Sequence, residues 1–234
     1  VCIIGGSSGI GNATAQAFRG CGAEVHVTGT RASEADYAAA EGSDLEGLTF
    51  HQLNAGDDAA IIALRQKFTR LDALVCSQGM VMYKRAEFEP ENFAKVVQVN
   101  LNSLMTCAGQ FYDLLKQTKG SLIIISSTAA FHATVGNPGY NASKAGAVGL
   151  TRTLGKAWAP DGIRVNGVAP GLIATKMTKV TTDNPKRREA TIRSIPLGRI
   201  GDPDDMAGLV LFLASPLAGY TVGQTIIADG GLLL

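Results

Sequence analysis

The sequence lacks an apolar run close to the roughly 20 residues that a membrane-spanning helix needs. It also lacks an excess of either charge, since 21 Lys and Arg residues balance 20 Asp and Glu residues for a formal net charge of +1. This balance gives no electrostatic reason to expect nucleic acid or an anionic membrane surface as a partner. We therefore expect neither a membrane nor a nucleic-acid partner.

Cysteine and histidine are scarce, with four and three residues in 234. The cysteines form no C-x-x-C and no metal-ligand spacing, so they predict free buried thiols in a reducing cytoplasm rather than disulfides. No carboxylate cluster accompanies the histidines, and we expect no metal site. The chain opens on VCIIGG, without Met or the features of a secretion signal. We expect a cytoplasmic protein with a few residues before Val1.

Short apolar runs alternate with helical patterns along the whole chain. Runs that are apolar on consecutive residues are typical of parallel strands covered by helices on both faces. Strands that alternate with helices predict right-handed crossovers and a doubly wound sheet. We predict a single-domain Rossmann fold over 1–234, with seven parallel strands near 1–5, 23–29, 48–54, 72–79, 121–127, 163–171 and 224–229, and helices near 10–20, 57–70, 92–117, 140–159 and 203–214.

A polar, basic insertion at 176–195 separates the sixth strand from the last helix. Long excursions of this kind are often lids or substrate-binding segments. One interpretation is a solvated, mobile surface, and the other is a docking site for an acidic carrier protein or a phosphorylated thioester. The basic residues are Lys176, Lys179, Lys186, Arg187, Arg188 and Arg193.

A glycine-rich turn, GGSSGIG, follows the first strand and opens a helix. Glycines at this spacing let the backbone approach a ligand closely, and the N–H groups of a new helix favour a phosphate. The position of the turn after the first strand of an alternating chain predicts dinucleotide binding. The predicted contacts in this turn are Gly5, Ser7, Ser8, Gly9, Ile10 and Gly11.

The second strand ends in VTGTRAS, without the carboxylate that would hold an adenosine ribose 2′-hydroxyl. Thr30 and Arg31 instead leave space and positive charge for a 2′-phosphate. This pattern favours NADP(H) over NAD(H). The alternative is that Arg31 is merely solvated.

The stretch GYNASKAG places Tyr140 and Lys144 four residues apart on one face of a helix. A phenol has a reference pKa of about 10, and a neighbouring ammonium favours the phenolate. Ser127 ends the fifth strand, at the sheet edge where ligands bind in such folds. These three side chains are therefore candidates for a proton-transfer site.

Together these motifs resemble the short-chain dehydrogenase/reductase family over residues 1–234. The resemblance rests on GGSSGIG, on Ser127 with Y-x-x-x-K, on Asn100 in VNL, on VAPG at 168–171, and on the closing DGG at 229–231. In one departure, Ile4 replaces the threonine that often precedes the first glycine. In another, CSQG at 76–79 replaces the usual N-N-A-G, which puts the bracing roles of those asparagines in doubt.

The resemblance implies a role for each matched residue. Tyr140 would donate the proton in ketone reduction and act as base in alcohol oxidation, while Lys144 would lower its pKa and bind the nicotinamide ribose. Ser127 would orient the carbonyl, and Asn100 would hold a water that passes protons to Lys144. Further implied cofactor contacts are Asn54, Gly79, Pro170, Gly171, Ile173 and Thr175, and implied substrate-pocket residues are Met80, His132 and Met177. For His132, simple exposure on a loop is an equal alternative.

Within the family, the basic insertion and PLGRIGDPDDMAGLVLFLAS look most like 3-oxoacyl-[acyl-carrier-protein] reductases. The expected function is NADP(H)-dependent reduction of a ketone. The expected substrate is a small-molecule carbonyl compound or a thioester, and one form of this prediction has the thioester attached to a carrier protein. One alternative is a catabolic or secondary-metabolic NAD(P)-dependent dehydrogenase of sugar, steroid or cyclic alcohols, and another is a non-catalytic dinucleotide sensor. The apolar end TIIADGGLLL predicts a homotetramer or dimer.

Overall fold

A computed structural model describes residues 1–37 and 42–234. Its centre is a sheet of seven parallel strands in the order β3-β2-β1-β4-β5-β6-β7. The strands are β1 Cys2–Ile4, β2 His26–Gly29, β3 Thr49–Gln52, β4 Ala73–Cys76, β5 Ser121–Ile125, β6 Arg164–Pro170 and β7 Thr225–Ala228. The predicted doubly wound fold is confirmed, and each strand is shorter than the apolar run that predicted it.

Helices bury both faces of the sheet. Along β1, Cys2 and Ile4 join one hydrophobic cluster and Ile3 joins the other, because successive strand side chains point to opposite faces. The first cluster includes residues of α2 Asp58–Arg65, α4 Ser103–Thr118 and α5 Pro138–Trp158, and the second includes residues of α1 Gly9–Gly20 and α8 Pro203–Ala214. Burial of a Leu or Ile side chain stabilises the fold by about 1.5–3 kcal/mol, so the wholly buried β4 and β5 anchor the sheet.

Two helices have different bounds in the structure from those predicted. The predicted helix at 92–117 is divided into α3 Pro90–Val97, a π-helical turn Gln98–Asn102, and α4. The predicted helix at 57–70 ends at Arg65. A π-helical turn widens the helix and re-aims its side chains, so Asn100 lies on an irregular turn rather than inside a regular helix.

The basic insertion contains two helices, α6 Lys179–Thr182 and α7 Pro185–Ser194, which the sequence analysis did not predict. The Asn184 side chain caps α7 by accepting a hydrogen bond from Arg187 N at 3.1 Å. No residue of α7 is buried. The insertion is therefore an exposed helical segment.

Short 3₁₀ turns join the main elements, at Glu34–Asp36, Ala86–Phe88, Thr128–Ala130, Ala159–Asp161, Lys176–Thr178 and Pro216–Ala218. Within residues 1–37 and 42–234, every helix falls short of the length and apolar character that crossing a membrane would require. The four thiols are free, and Cys2, Cys76 and Cys107 are buried. The prediction of a buried thiol was wrong for Cys21, which lies exposed because it follows the last turn of α1 at the surface.

Candidate active site

A cavity of about 430 Å³ opens at the carboxyl ends of the strands, where the order reverses between β1 and β4. Most residues predicted to contact cofactor or substrate line it: Gly5, Ser7, Ser8, Gly9, Ile10, Thr30, Asn54, Gly79, Met80, Ser127, Tyr140, Lys144, Pro170, Gly171, Ile173, Thr175 and Met177. Gly11, Arg31, Asn100 and His132 lie outside this wall. The fold thus gathers residues from seven segments of the chain into one crevice.

The glycine-rich turn is too tightly packed for side chains. Gly5 has φ +77°, and a Cβ there would lie 2.8 Å from the Gln78 nitrogen. A Cβ on Gly11 would lie 2.3 Å from the Gly5 carbonyl oxygen. The first turn of α1 contains no acidic residue, so its N–H groups and the positive end of the helix dipole suit an anion. The turn therefore fits the pyrophosphate of a dinucleotide.

Lys144 lines the cavity and is almost fully buried, with 4% of its surface exposed. Its ammonium donates to the Ile125 carbonyl at 2.8 Å, and its own carbonyl accepts from the Ser126 hydroxyl at 2.8 Å. The Nζ atom lies 5.7 Å from the centroid of the Tyr140 ring. Burial lowers the pKa of Lys144 to about 8. The helix spacing predicted from the sequence thus places ammonium and phenol side by side.

The Tyr140 phenol meets the cavity beside Ser127. Burial raises the pKa of Tyr140, and a hydrogen bond from Ser127 opposes this by favouring the phenolate. The Ser127 oxygen accepts from Ala129 N at 3.1 Å, so its O–H is the group that donates toward Tyr140 at the cavity. Because burial outweighs this bond and the pKa stays raised, the phenol keeps its proton at neutral pH, as a proton donor to a carbonyl must.

Asn100 braces the site from outside the cavity. Its side-chain amide accepts from Met80 N at 2.8 Å and donates to Met80 O at 2.9 Å. The same Nδ2 also lies 3.2 Å from the Ser143 hydroxyl of α5. Asn100 therefore ties the loop after β4 to the helix that carries Tyr140, and its implied role as a water holder stays a prediction.

Arg31 interacts with its own loop. Its guanidinium carbon lies 4.8 Å from the Tyr37 ring centroid, and the guanidinium donates to the Asp36 carbonyl. Its backbone N–H donates to the Tyr37 hydroxyl at 3.2 Å. The guanidinium lies at the end of β2, as the sequence analysis expected, but a 2′-phosphate contact stays a prediction.

His132 lies exposed on the loop after β5, where its Nδ1 is 2.9 Å from the Thr128 carbonyl oxygen. It does not reach the cavity wall. Of the two interpretations, exposure on the loop agrees with this placement.

Two buried polar residues beside the site were not predicted from the sequence as site residues. Gln78 donates to the Ser103 hydroxyl at 2.9 Å, and its Oε1 has no hydrogen-bond partner among the described residues. Glu87 is 1% exposed. The position of Gln78 directly before Gly79 was a usable signal, whereas nothing in the stretch around Glu87 marks it as buried.

Within the described ranges 1–37 and 42–234, no group of three His, Cys, Asp or Glu side chains could hold a metal ion. The polar side chains around the cavity are hydroxyls, amides and the ammonium groups of Lys144 and Lys176. This donor set suits proton transfer and hydrogen bonding to a carbonyl.

Comparisons with known proteins identify the family of this chain. A family model described as Enoyl-(Acyl carrier protein) reductase matches residues 5–233. The 3-oxoacyl-[acyl-carrier-protein] reductase FabG of Thermotoga maritima is 36% identical over 242 residues, covering 100% of this chain and 98% of that protein. The 2-dehydro-3-deoxy-D-gluconate 5-dehydrogenase of Bacillus subtilis is 35% identical over 238 residues, covering 99% and 93%.

Among solved structures, the Pseudomonas aeruginosa RhlG/NADP active-site complex is similar with a TM-score of 0.89 and 32% identity. The match covers 100% of this chain and 96% of that chain. Likeness over the full length of both chains decides the family. The chain belongs to the short-chain dehydrogenase/reductase family and is an NAD(P)-dependent oxidoreductase that acts on CH–OH and C=O groups.

Proposed function

We propose that the chain is an NADP(H)-dependent reductase that converts the ketone of a 3-oxoacyl thioester, or of a similar carbonyl compound, into a secondary alcohol. The observation that carries this proposal is the grouping of Ser127, Tyr140 and Lys144 in the cavity that the N-terminus of α1 also lines. Full-length similarity to 3-oxoacyl-[acyl-carrier-protein] reductases supports the thioester substrate.

The side chains divide the chemistry between them. The nicotinamide ring, when bound, supplies a hydride to the carbonyl carbon. Ser127 donates a hydrogen bond to the carbonyl oxygen, and the Tyr140 phenol transfers its proton to that oxygen. The Lys144 ammonium then stabilises the phenolate that remains. Oxidation of the alcohol uses the same groups in reverse, with the phenolate as base.

NADP(H) is the proposed cofactor because the end of β2 carries Arg31 and no carboxylate. The similar RhlG structure is a complex with NADP, which supports the same choice. NAD(H) remains the alternative cofactor. Initial rates with each reduced cofactor separate the two.

An acidic carrier protein is the proposed donor of the thioester. Exposed basic side chains on and near α7 would attract its negative surface. Activity on a carrier-linked 3-oxoacyl substrate should then fall steeply as salt rises, whereas activity on a small ketone should not. Parallel salt curves would argue against docking at the insertion.

Oxidation of a sugar-derived alcohol is the second candidate function. The Bacillus subtilis relative named for a gluconate derivative matches this chain as well as the reductases do. A carbonyl panel tests both: a 3-oxoacyl thioester, a keto-gluconate, a steroid ketone and simple cyclic ketones, each with NADPH and NADH. Fast NADPH oxidation with the thioester supports the first candidate, and turnover confined to the keto sugar acid supports the second. Cofactor binding without turnover on any carbonyl would point to a dinucleotide sensor.

A homotetramer is the proposed assembly, and the cytoplasm is the proposed location. Ile227 of β7 and the terminal Leu234 expose apolar surface, which suits an interface between copies of the chain. The free thiols suit a reducing compartment. Light scattering after gel filtration measures the assembly, and a monomeric mass would contradict it.

A further inference from the structure

The 3₁₀ turn at Ala86–Phe88 carries a buried carboxylate that the proposed chemistry does not use. Glu87 is 1% exposed and accepts hydrogen bonds from three N–H donors. Its Oε1 accepts from Met82 N at 2.9 Å and from Asn137 Nδ2 at 3.4 Å, and its Oε2 accepts from Tyr140 N at 2.8 Å. All three partners belong to segments that border the active site.

The helix that carries the phenol has no cap of its own. Asn137 occupies the N-cap position of α5, but its side chain makes no capping bond and donates to the Met82 carbonyl at 2.9 Å. Tyr140 is the third residue of α5, so its N–H has no partner within the helix. The Glu87 carboxylate supplies that partner from another segment, and its negative charge lies at the positive end of a 21-residue helix.

Glu87 also packs closely against this first turn. A Cβ built on Gly139 would lie 3.3 Å from Glu87 Oε2 and 3.3 Å from the Phe93 ring. Glycine at this position therefore lets the carboxylate approach the backbone of α5. The same carboxylate bonds the loop that contains Met82, two residues after the cavity-lining Met80. One side chain thus joins the loop after β4 to the start of α5.

We propose that Glu87 is the positioning residue of Tyr140: its carboxylate holds the first turn of α5 against the loop after β4 and so fixes where the phenol lies beside Ser127. This inference rests on the proposed role of Tyr140 as proton donor. A displacement of about 1 Å at a reacting group can reduce turnover on the order of a hundredfold, so the position of this turn matters for the rate.

The charge of Glu87 acts on the phenol as well. The other groups that face Tyr140 are the Lys144 ammonium of α5, the Tyr83 phenol of the loop after β4, and the Ser127 hydroxyl. Burial is the largest cause that raises the pKa of Tyr140, and the Ser127 hydrogen bond lowers it; the negative charge of Glu87 raises it, as does Tyr83 once its own phenol ionises. Reduction needs the protonated phenol. Loss of the Glu87 charge should therefore move the alkaline limb of the reduction profile to lower pH.

Three variants separate geometry from charge. Glu87→Gln keeps the shape, but its NH₂ group must face an N–H donor that the carboxylate satisfied. Glu87→Asp keeps the charge but is one methylene too short to keep all three bonds. Glu89→Gln is the matched control, because Glu89 is an exposed carboxylate two residues along whose side chain makes no capping bond.

The test uses kcat, KM and the pH profile of NADPH-dependent reduction, with thermal unfolding to check the fold. We expect Glu87→Gln to lower kcat roughly tenfold to a hundredfold with little change in the KM for NADPH, and to move the alkaline limb to lower pH. Glu87→Asp should lower kcat without moving the limb. Glu89→Gln should have the kcat and the alkaline limb of the wild type.

Two failures are distinguishable. If Tyr140→Phe retains turnover, the proposed function is wrong. If Tyr140→Phe abolishes turnover while Glu87→Gln keeps wild-type kcat and pH profile, the positioning role is wrong. Should Glu87→Gln fail to fold, Glu87→Asp decides, because wild-type kcat in that variant would overturn the proposal.

Discussion

The two halves of the crevice are built differently. In the catalytic half, Lys144 is almost fully buried, and its side chain and carbonyl are both hydrogen-bonded to the end of β5. The other half, at the end of β2, is where the adenosine ribose is proposed to bind, and we call it the ribose half. There Thr30 is exposed and Arg31 is held by Asp36 and Tyr37 of its own loop. The first half is fixed by the sheet and helices, and the second by a surface loop.

This contrast separates chemistry from cofactor choice. Proton transfer needs groups that are placed before the substrate arrives, because reorganisation costs rate. Selection between two cofactors needs only a charge near one phosphate, which a partly exposed side chain supplies. We therefore expect substitutions in the catalytic half to alter kcat and those in the ribose half to alter KM.

The largest effect is expected for Tyr140→Phe. Loss of the hydroxyl removes the proposed proton donor, and turnover should fall by roughly 10²- to 10⁴-fold. Cofactor binding, measured by quenching or enhancement of NADPH fluorescence, should remain within a few-fold of the wild type because the glycine-rich turn is untouched. Loss of both binding and turnover would mean that the variant disturbs the fold.

The second effect concerns Lys144. Burial lowers the pKa of its ammonium to about 8 in the folded chain, from 10.5 in the unfolded chain. Between these values the unfolded chain binds more protons, so this group adds to wild-type stability as pH rises from 8 to 10.5. Lys144→Met lacks the titration. The wild-type free energy of unfolding, measured with urea, should therefore rise relative to that of the variant across this window.

Parallel stability curves for wild type and Lys144→Met would show that burial does not depress the ammonium pKa. The same variant should also lose turnover, because it removes the buried cation that is proposed to stabilise the Tyr140 phenolate. Lys156→Met, on the last turn of α5, is a matched control because Lys156 is exposed. It should leave both turnover and the dependence of the unfolding free energy on pH as in the wild type.

A smaller effect is expected for Arg31→Ala in the ribose half. Loss of one phosphate-binding cation should raise the KM for NADPH about tenfold, as for a charged hydrogen bond of ~1.5 kcal/mol. The KM for NADH should change little, because NADH has no 2′-phosphate. Equal changes for both cofactors would contradict the assignment of Arg31.

The smallest effect is expected for Tyr37→Phe. The ring would still lie beneath the Arg31 guanidinium, whereas the hydrogen bond that Arg31 N donates to the phenol would be lost. A neutral bond of this kind contributes about 0.5–1.5 kcal/mol. The KM for NADPH should rise, but less than in Arg31→Ala. An effect as large as that of Arg31→Ala would mean that the phenol itself binds the cofactor.

Local sequence determined much of this protein. Consecutive apolar residues predicted the buried strands, because β4 and β5 are covered on both faces. The glycine-rich turn was predictable because a Cβ on Gly5 or Gly11 has no space. Tyr140 and Lys144 were predictable as neighbours because helix geometry brings residues four apart onto one face.

Tertiary structure alone decided the rest. The sequence did not predict the π-helical turn. Asn100 on that turn is hydrogen-bonded to the backbone of Met80, 20 residues away in the chain, and local sequence does not show such a distant contact. Glu87 is a cap for α5 only because the fold brings it to Tyr140, 53 residues further along. Periodicity and turn chemistry are local and can be inferred from neighbouring residues, whereas a hydrogen bond between distant segments exists only once packing has brought its donor and acceptor together.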